Sequence, residues 1–235
     1  MEYREDVAVI IPTLSRTGHV KRLLESVRNQ GISPKEIIIV DAGNANIYNS
    51  LNDFKNMNIK YLFAKPPSLT RQRNIGISNI GASITLVCFL DDDITLEDNS
   101  LANMLTFWKS AGPNIGGASF NNMSDIFINA NMVERAFFLN STRGGRILKS
   151  GFNSKICSID ETRRVDWLFG GITVWRREVV EEFKFDEWFM DNAYCDDIDY
   201  SYRVGKKYKM MVVKEARVRH LSDPIGFRSE YAYGK

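Results

Sequence analysis

Two apolar runs stop on aspartate. Ile-Ile-Ile-Val at 37–40 is followed by Asp41, and Ile-Thr-Leu-Val-Cys-Phe-Leu at 84–90 by Asp91, Asp92 and Asp93. A strand with one wet face alternates apolar and polar residues; runs like these belong to strands covered on both faces, as in a parallel sheet between helices. Val-Ala-Val-Ile-Ile at 7–11, stopped by Pro12, is a third such run. Between it and the second, Val20, Leu23, Leu24 and Val27 recur at helical spacing, and Gly31 stands where helices commonly end. The succession of strand, helix and strand continues less cleanly through 59–63 and 69–79, so a βαβ architecture is expected. Leu101, Met104, Leu105 and Trp108 mark a further amphipathic helix, with Asp98, Asn99 and Ser100 available to cap it and Pro113 to end it.

Length and composition narrow the class. A chain of 235 residues, 44% hydrophobic, can bury the core of one large α/β domain, and no repeat or linker divides it. With 31 basic and 29 acidic side chains mixed along the sequence, no domain-wide field marks a nucleic-acid binder. Cys88, Cys157 and Cys195 form no C-x-x-C pair, which argues against a zinc knuckle or a disulfide framework and makes a reducing cytoplasm the default. No apolar run approaches the roughly 18 to 20 residues of a membrane span, so the protein is expected to be soluble, or at most peripheral at the inner face of a membrane. Residues 121–164 carry Asn-rich and Gly-rich patches and no sustained period except a helix around 131–139; a mobile or ligand-shaped region is expected there.

The acidic residues carry the chemistry. In parallel α/β sheets ligands collect at the carboxyl ends of strands, where Asp41 and the Asp91–Asp93 triplet fall. If the chain stays extended across the triplet, Asp91 and Asp93 point to one face. Two such charges about 4 Å apart repel by roughly 4 kcal/mol at an effective dielectric near 20, and a hard divalent cation, magnesium or manganese, would relieve that. A solvated turn accounts for the triplet almost as well. The second cluster, Asp196, Asp197 and Asp199, opens a helix running to about Lys206. There the acids either complement the helix dipole, with Asp199 pairing Arg203, or supply a general base to an acceptor hydroxyl. Asp196 and Asp197 diverge by about 100° on the helical wheel, and Asp197 is the expected base.

In order, these motifs resemble the inverting nucleotide-sugar glycosyltransferases of family two, which have the GT-A fold, and the resemblance covers nearly the whole chain. Val-Ala-Val-Ile-Ile-Pro-Thr-Leu, ending at Thr13 and Leu14, looks like the opening strand with its I-P-T signature. Glu36 to Asp41 resembles the strand whose aspartate contacts the nucleotide base. Arg73-Asn74-Ile75-Gly76 is similar to the R-N-x-G helix and Phe89 to Asp93 to the D-x-D element. Phe169-Gly170-Gly171, Arg176-Arg177-Glu178, Phe185-Asp186-Glu187 and Asp196-Asp197-Ile198-Asp199 resemble the family's G-G, R-R-E, F-D-E and E-D-x-D succession. Ala42 stands where many members have a second aspartate, Asp196 replaces a glutamate, and Cys195 stands where glycine is frequent.

The resemblance implies a central, mostly parallel sheet flanked by helices, with 1–95 as the nucleotide-binding half and 96–235 as the acceptor-binding half. It implies that Thr13, Asp41, Asp91 and Asp92 lie near the donor nucleotide, that Asp93 holds the metal on the diphosphate with help from His220, and that Arg73 reaches the leaving phosphate. Trp167 is expected either to pack in the core or to offer a platform to a carbohydrate, glycolipid or glycoprotein acceptor, beside Gly170, Gly171 and Asp196. The rivals are a haloacid-dehalogenase-type phosphatase, whose D-x-D-x-T pattern Asp91 to Thr95 also satisfies, and a non-catalytic carbohydrate-binding descendant of the same fold. Chains of this kind often continue past a stop such as Lys235.

Overall fold

The computed structural model describes residues 6–124, 129–189 and 195–221. In chain order the elements are β1 (Val7–Thr13), α1 (Thr17–Arg28), β2 (Glu36–Asp41), a 3₁₀ turn (Tyr48–Phe54), β3 (Ile59–Phe63), α2 (Leu69–Ile77) and β4 (Leu86–Leu90). There follow β5 (Ile94–Leu96), α3 (Ser100–Ser110), β6 (Ile115–Asn122), α4 (Met132–Ala136), β7 (Arg163–Val165), β8 (Ile172–Arg176), α5 (Arg177–Glu182), α6 (Asp196–Gly205) and β9 (Lys209–His220). They form one sheet in the order β3-β2-β1-β4-β8-β6-β9-β5, with β7 also pairing β9.

The apolar runs are buried on both faces. Val7, Val9 and Ile11 point into a core with α1 and α3, whose Leu23, Leu24, Met104 and Trp108 fill it. Ala8 and Ile10 point the other way, into a core with Ile77 of α2, Val179 and Val180 of α5, and Tyr200 and Val204 of α6. The alternation within one continuous apolar strand is why no polar face appears in the sequence.

The sheet is mixed: β3, β2, β1 and β4 run parallel, as do β6 and β9, whereas β4–β8, β8–β6, β9–β5 and β9–β7 are antiparallel. Strand order reverses between β1 and β4, so the loops after these two strands part and leave a crevice at their carboxyl ends.

Local expectations shift in detail. α1 ends at Arg28, with Gly31 left-handed (φ 67°) three residues on. None of Asp98, Asn99 and Ser100 caps α3 by its side chain; instead Gln30 Oε1 accepts from Leu101 N at 2.9 Å, a cap supplied from 71 positions away. The helix expected over 131–139 is the short α4, opened by a capping box between Asn131 and Glu134. Among the described residues no helix is long and apolar enough to cross a membrane.

Candidate functional site

The crevice is built where β1 and β4 part. Thr13, the last residue of β1, donates through Oγ1 to Asp92 Oδ2 at 2.6 Å. Arg16 follows in the same loop, pairing Asp92 through Nε (3.0 Å) and Nη2 and reaching Asp93 Oδ2 at 3.4 Å. Asp92 is 1% exposed, and burial pushes its carboxyl up to about 6 although Thr13 and Arg16 pull the other way.

The triplet is not extended. Ile94 N donates to Asp91 O at 3.2 Å, closing a reverse turn that sends the three carboxylates to different partners. Asp91 turns to Arg73, Asp92 to Thr13 and Arg16, and Asp93 to Arg16 and His220, whose Nε2 lies 3.5 Å from Asp93 Oδ1. The expected convergence of Asp91 and Asp93 is therefore absent: a turn lowers their mutual repulsion by giving each its own cation.

Arg73 lies on α2 and is 2% exposed. Its Nη1 donates to Asp196 Oδ2 at 2.6 Å, its Nη2 to Asp91 Oδ1 at 3.3 Å, and its guanidinium stands 5.2 Å from the Phe185 ring centroid. Burial works to lower the Arg73 pKa, but Asp196, Asp91 and Asp197 together outweigh it and hold the charge. The close approach requires both glycines. A Cβ on Gly170 would stand 2.6 Å from Arg73 Nη1, and one on Gly171 would collide with the Asp91 carboxylate. These glycines thus admit Arg73 and Asp91 to the backbone. The expectation that Arg73 reaches the leaving phosphate meets a side chain already held by two carboxylates.

Asp197 follows Asp196 in the first turn of α6. Ile198 N donates to its Oδ1 at 2.8 Å, and the Gly170 amide also stabilises its charge. Burial and the neighbouring Asp196 nevertheless win over Arg73 and push Asp197 up to about 6. Asp199 points away and pairs Arg203, as the helix-surface reading had it.

A cavity of about 570 Å³ brings the parts together: Arg73, Asp91, Gly170, Gly171, Asp196, Asp197 and His220 all line it. Asp93 adjoins it through His220. Trp167 edges the cavity but is 2% exposed, with Nε1 donating to Ser154 O at 3.1 Å; its ring supports Phe169, 4.7 Å away, which is the more open aromatic face. Asp41 has no exposed surface. Ser15, Gly43 and Tyr61 donate to it, so in this arrangement it ties the loop after β1 to the loop after β2 rather than facing a base.

Among the described residues no three His, Cys, Asp or Glu side chains converge on one point. Asp93 and His220 offer a hard oxygen and an imidazole nitrogen 3.5 Å apart, a donor set that would suit a divalent ion whose other positions water and diphosphate oxygens could fill. Arg16 was not foreseen as part of the site. Its only sequence signal is a basic residue three places after Thr13. The R-R-E motif is structural: Arg176 donates to the carbonyls of Ala111, Gly112 and Ile115, and Arg177 to those of Gly81, Ala82 and Ile84.

An α/β sheet with a switch-point crevice, an acidic turn after its fourth strand and a facing acidic helix defines a GT-A glycosyltransferase domain. The chain belongs to Glycosyl transferase family 2, whose profile matches residues 8–181. It is 25% identical over 191 residues to the minor teichoic acid biosynthesis protein GgaA of Bacillus subtilis (strain 168), covering 77% of this chain and 39% of that protein. Its fold is similar to that of GalNAc-T7, solved with UDP, GalNAc and Mn2+ (TM-score 0.71, 17% identity, 97% of this chain and 46% of that one). It is also similar to S. aureus TarS 1-349 in complex with UDP-GlcNAc (TM-score 0.66, 15% identity, 93% and 59%). The mannosyltransferase PcManGT from Pyrobaculum calidifontis, solved with GDP-Man and Mn2+, is a third (TM-score 0.63, 16% identity, 96% and 59%). The chain thus spans well under two thirds of the length of these relatives. Family membership sets the phosphatase reading aside, and Asp91, paired with Arg73, is not placed as a free nucleophile.

Proposed function

We propose that this domain moves a sugar from a nucleotide-diphosphate sugar to an acceptor hydroxyl with inversion at the anomeric carbon, in a reaction that depends on a divalent metal. The observation that carries the reading is that Asp197 of α6, Asp91 of the turn after β4 and His220 of β9 line one shared cavity. Residues 1–95 would bind the nucleotide, through Thr13, Arg16 and the Asp91–Asp93 turn. Residues 96–235 would hold the acceptor, a carbohydrate or a glycan on lipid or protein, beside Phe169, Gly170, Gly171 and Asp196.

Asp197 would take the proton of the acceptor hydroxyl as its oxygen attacks the anomeric carbon. The new carbon–oxygen bond forms while the bond to the diphosphate breaks, through an oxocarbenium-like transition state, and the nucleoside diphosphate leaves on the far side. A manganese or magnesium ion on Asp93 and His220 would supply Lewis-acid stabilisation of the departing diphosphate. Arg73 would act by position: it fixes Asp196 and Asp91 and, through Asp196, the first turn of α6 on which Asp197 stands. We place its action in a reducing cytoplasm, where three cysteines without a C-x-x-C spacing need form no disulfide.

The test pairs two variants. Asp93→Ala is expected to abolish the extra thermal stabilisation that manganese gives a bound nucleotide. Asp197→Asn is expected to keep donor binding while losing roughly 10²- to 10⁴-fold in turnover, the usual range for a general base. Normal transfer by Asp197→Asn removes it as the base, and a parent protein that binds sugars but never releases nucleotide would be the non-catalytic relative.

A further inference from the structure

The segment 131–155, poorly readable in sequence, carries a surface that the transfer reaction does not use. Six of the eleven large apolar side chains exposed among the described residues fall in it: Met132, Val133, Phe137, Phe138, Leu139 and Phe152, with Met132 83% and Phe137 68% exposed. Isolated exposed apolar residues are ordinary, but a run of them marks a contact surface. The segment also closes on itself. Ile147 bridges Asn153 and Leu148 N donates to Phe152 O at 2.8 Å, forming a hairpin; its Ser150 donates to Phe138 O, and its Lys149 ammonium lies 5.9 Å from the Phe138 ring centroid. The hairpin thus lies against Phe138 in the turn that follows α4, and Phe137, Phe138 and Phe152 stay exposed within this one segment.

Charge selects the partner. The same 25-residue segment holds five basic residues, Arg135, Arg143, Arg146, Lys149 and Lys155, and one acid, Glu134. Setting these aside leaves 26 basic against 28 acidic residues in the rest of the chain, so the positive excess of the whole protein resides here. Interleaved aromatic and cationic side chains match a surface that is anionic outside and apolar just beneath, which is a bilayer bearing acidic headgroups.

We propose that the 132–139 segment and the 147–153 hairpin seat this protein on an anionic membrane surface, Phe137, Phe138 and Phe152 entering the headgroup layer and Arg143 and Lys149 pairing lipid phosphates, while Arg146 stays paired with Asp166. Asn153 and Lys155, at the end of the same segment, line the catalytic cavity, so seating brings the cavity wall to the bilayer. The acceptor is then a hydroxyl borne by a membrane lipid, a step that rests on the transferase reading, whereas the docking itself does not.

Co-sedimentation of the whole protein with vesicles of phosphatidylcholine, alone or mixed with phosphatidylglycerol, tests the docking without any transfer. About tenfold stronger partition onto the anionic vesicles is expected, falling severalfold in about 0.5 M salt as headgroup attraction is screened. Phe137→Ser with Phe138→Ser should lose about tenfold at every salt concentration. Arg143→Glu with Lys149→Glu should lose only the preference for anionic lipid, and both variants should keep the parent's circular dichroism and donor binding. Equal or absent partition on the two vesicle types overturns the proposal, as does unaltered partition of a folded variant. Concentration-dependent dimerisation that the phenylalanine variant abolishes overturns it in favour of a second copy of this chain. Transfer that fails while docking succeeds would sink the transferase reading and leave the docking standing.

Discussion

Asp197 is a carboxyl held near neutrality by its surroundings, and this sets two pH effects. As a base it must be ionised, so kcat/KM should climb tenfold per pH unit up to about pH 6 and level off above it. A flat profile between pH 5 and 7 would contradict the assignment. The stability effect has the opposite sense. The folded state holds the Asp197 proton more tightly than the unfolded chain, so this group favours folding below the ordinary carboxylate range and loses that benefit as pH rises through about 6. Asp197→Asn should accordingly raise the denaturation midpoint at pH 7 while most turnover is lost. Arg73 behaves differently because it is buried between two carboxylates. Removing one partner of a buried pair strands the other, so Arg73→Met should cost about 3–5 kcal/mol in urea unfolding, far more than the same change at exposed Arg28, which pairs Glu25 on the surface.

At the scale of elements, the N-terminal motifs owe their residue types to contacts made across the fold. Asn74 on α2 donates to Phe185 O at 2.9 Å and accepts from Phe185 N at 3.1 Å, so the R-N-x-G helix clamps the F-D-E segment. Gly76 lets α2 lie against β1: a Cβ there would stand 2.4 Å from Ile10 Cγ2. Gly76→Ala should cost about 1–3 kcal/mol by overpacking, and combining it with Ile10→Ala should cost less than the sum of the two changes; additive losses would refute the contact. α1 and α3 were legible because each carries one apolar stripe against one cover, and β2 because it is apolar throughout and buried on both faces. β6 and β9 were not. Gly117 of β6 gives up its side chain so that the Trp175 ring can pack on the backbone, and twelve-residue β9 is shared among β6, β7 and β5, whose demands blur any alternation.

For the whole molecule, the order of acidic motifs disclosed the fold and its crevice, while the pairing within the crevice stayed hidden. That Asp91 belongs to Arg73, and Asp92 to Arg16, depends on a turn closed by one backbone hydrogen bond and on glycines 80 residues further on, and no spacing rule conveys either. Residues 125–128, within the stretch expected to be ligand-shaped, lie outside the described residues, as do 1–5, 190–194 and 222–235.

The residue just ahead of α6 gives the molecule a built-in reporter. Cys195 is exposed, left-handed (φ 68°) and on the cavity wall, whereas Cys88 and Cys157 are buried. A maleimide dye should therefore mark the native chain once, sluggishly because burial and the flanking aspartates disfavour the thiolate, and occupied cavities should be shielded from it. Mass spectrometry after brief labelling, with and without nucleotide sugar, would count the filled clefts directly; equal labelling under both conditions would place the ligand elsewhere.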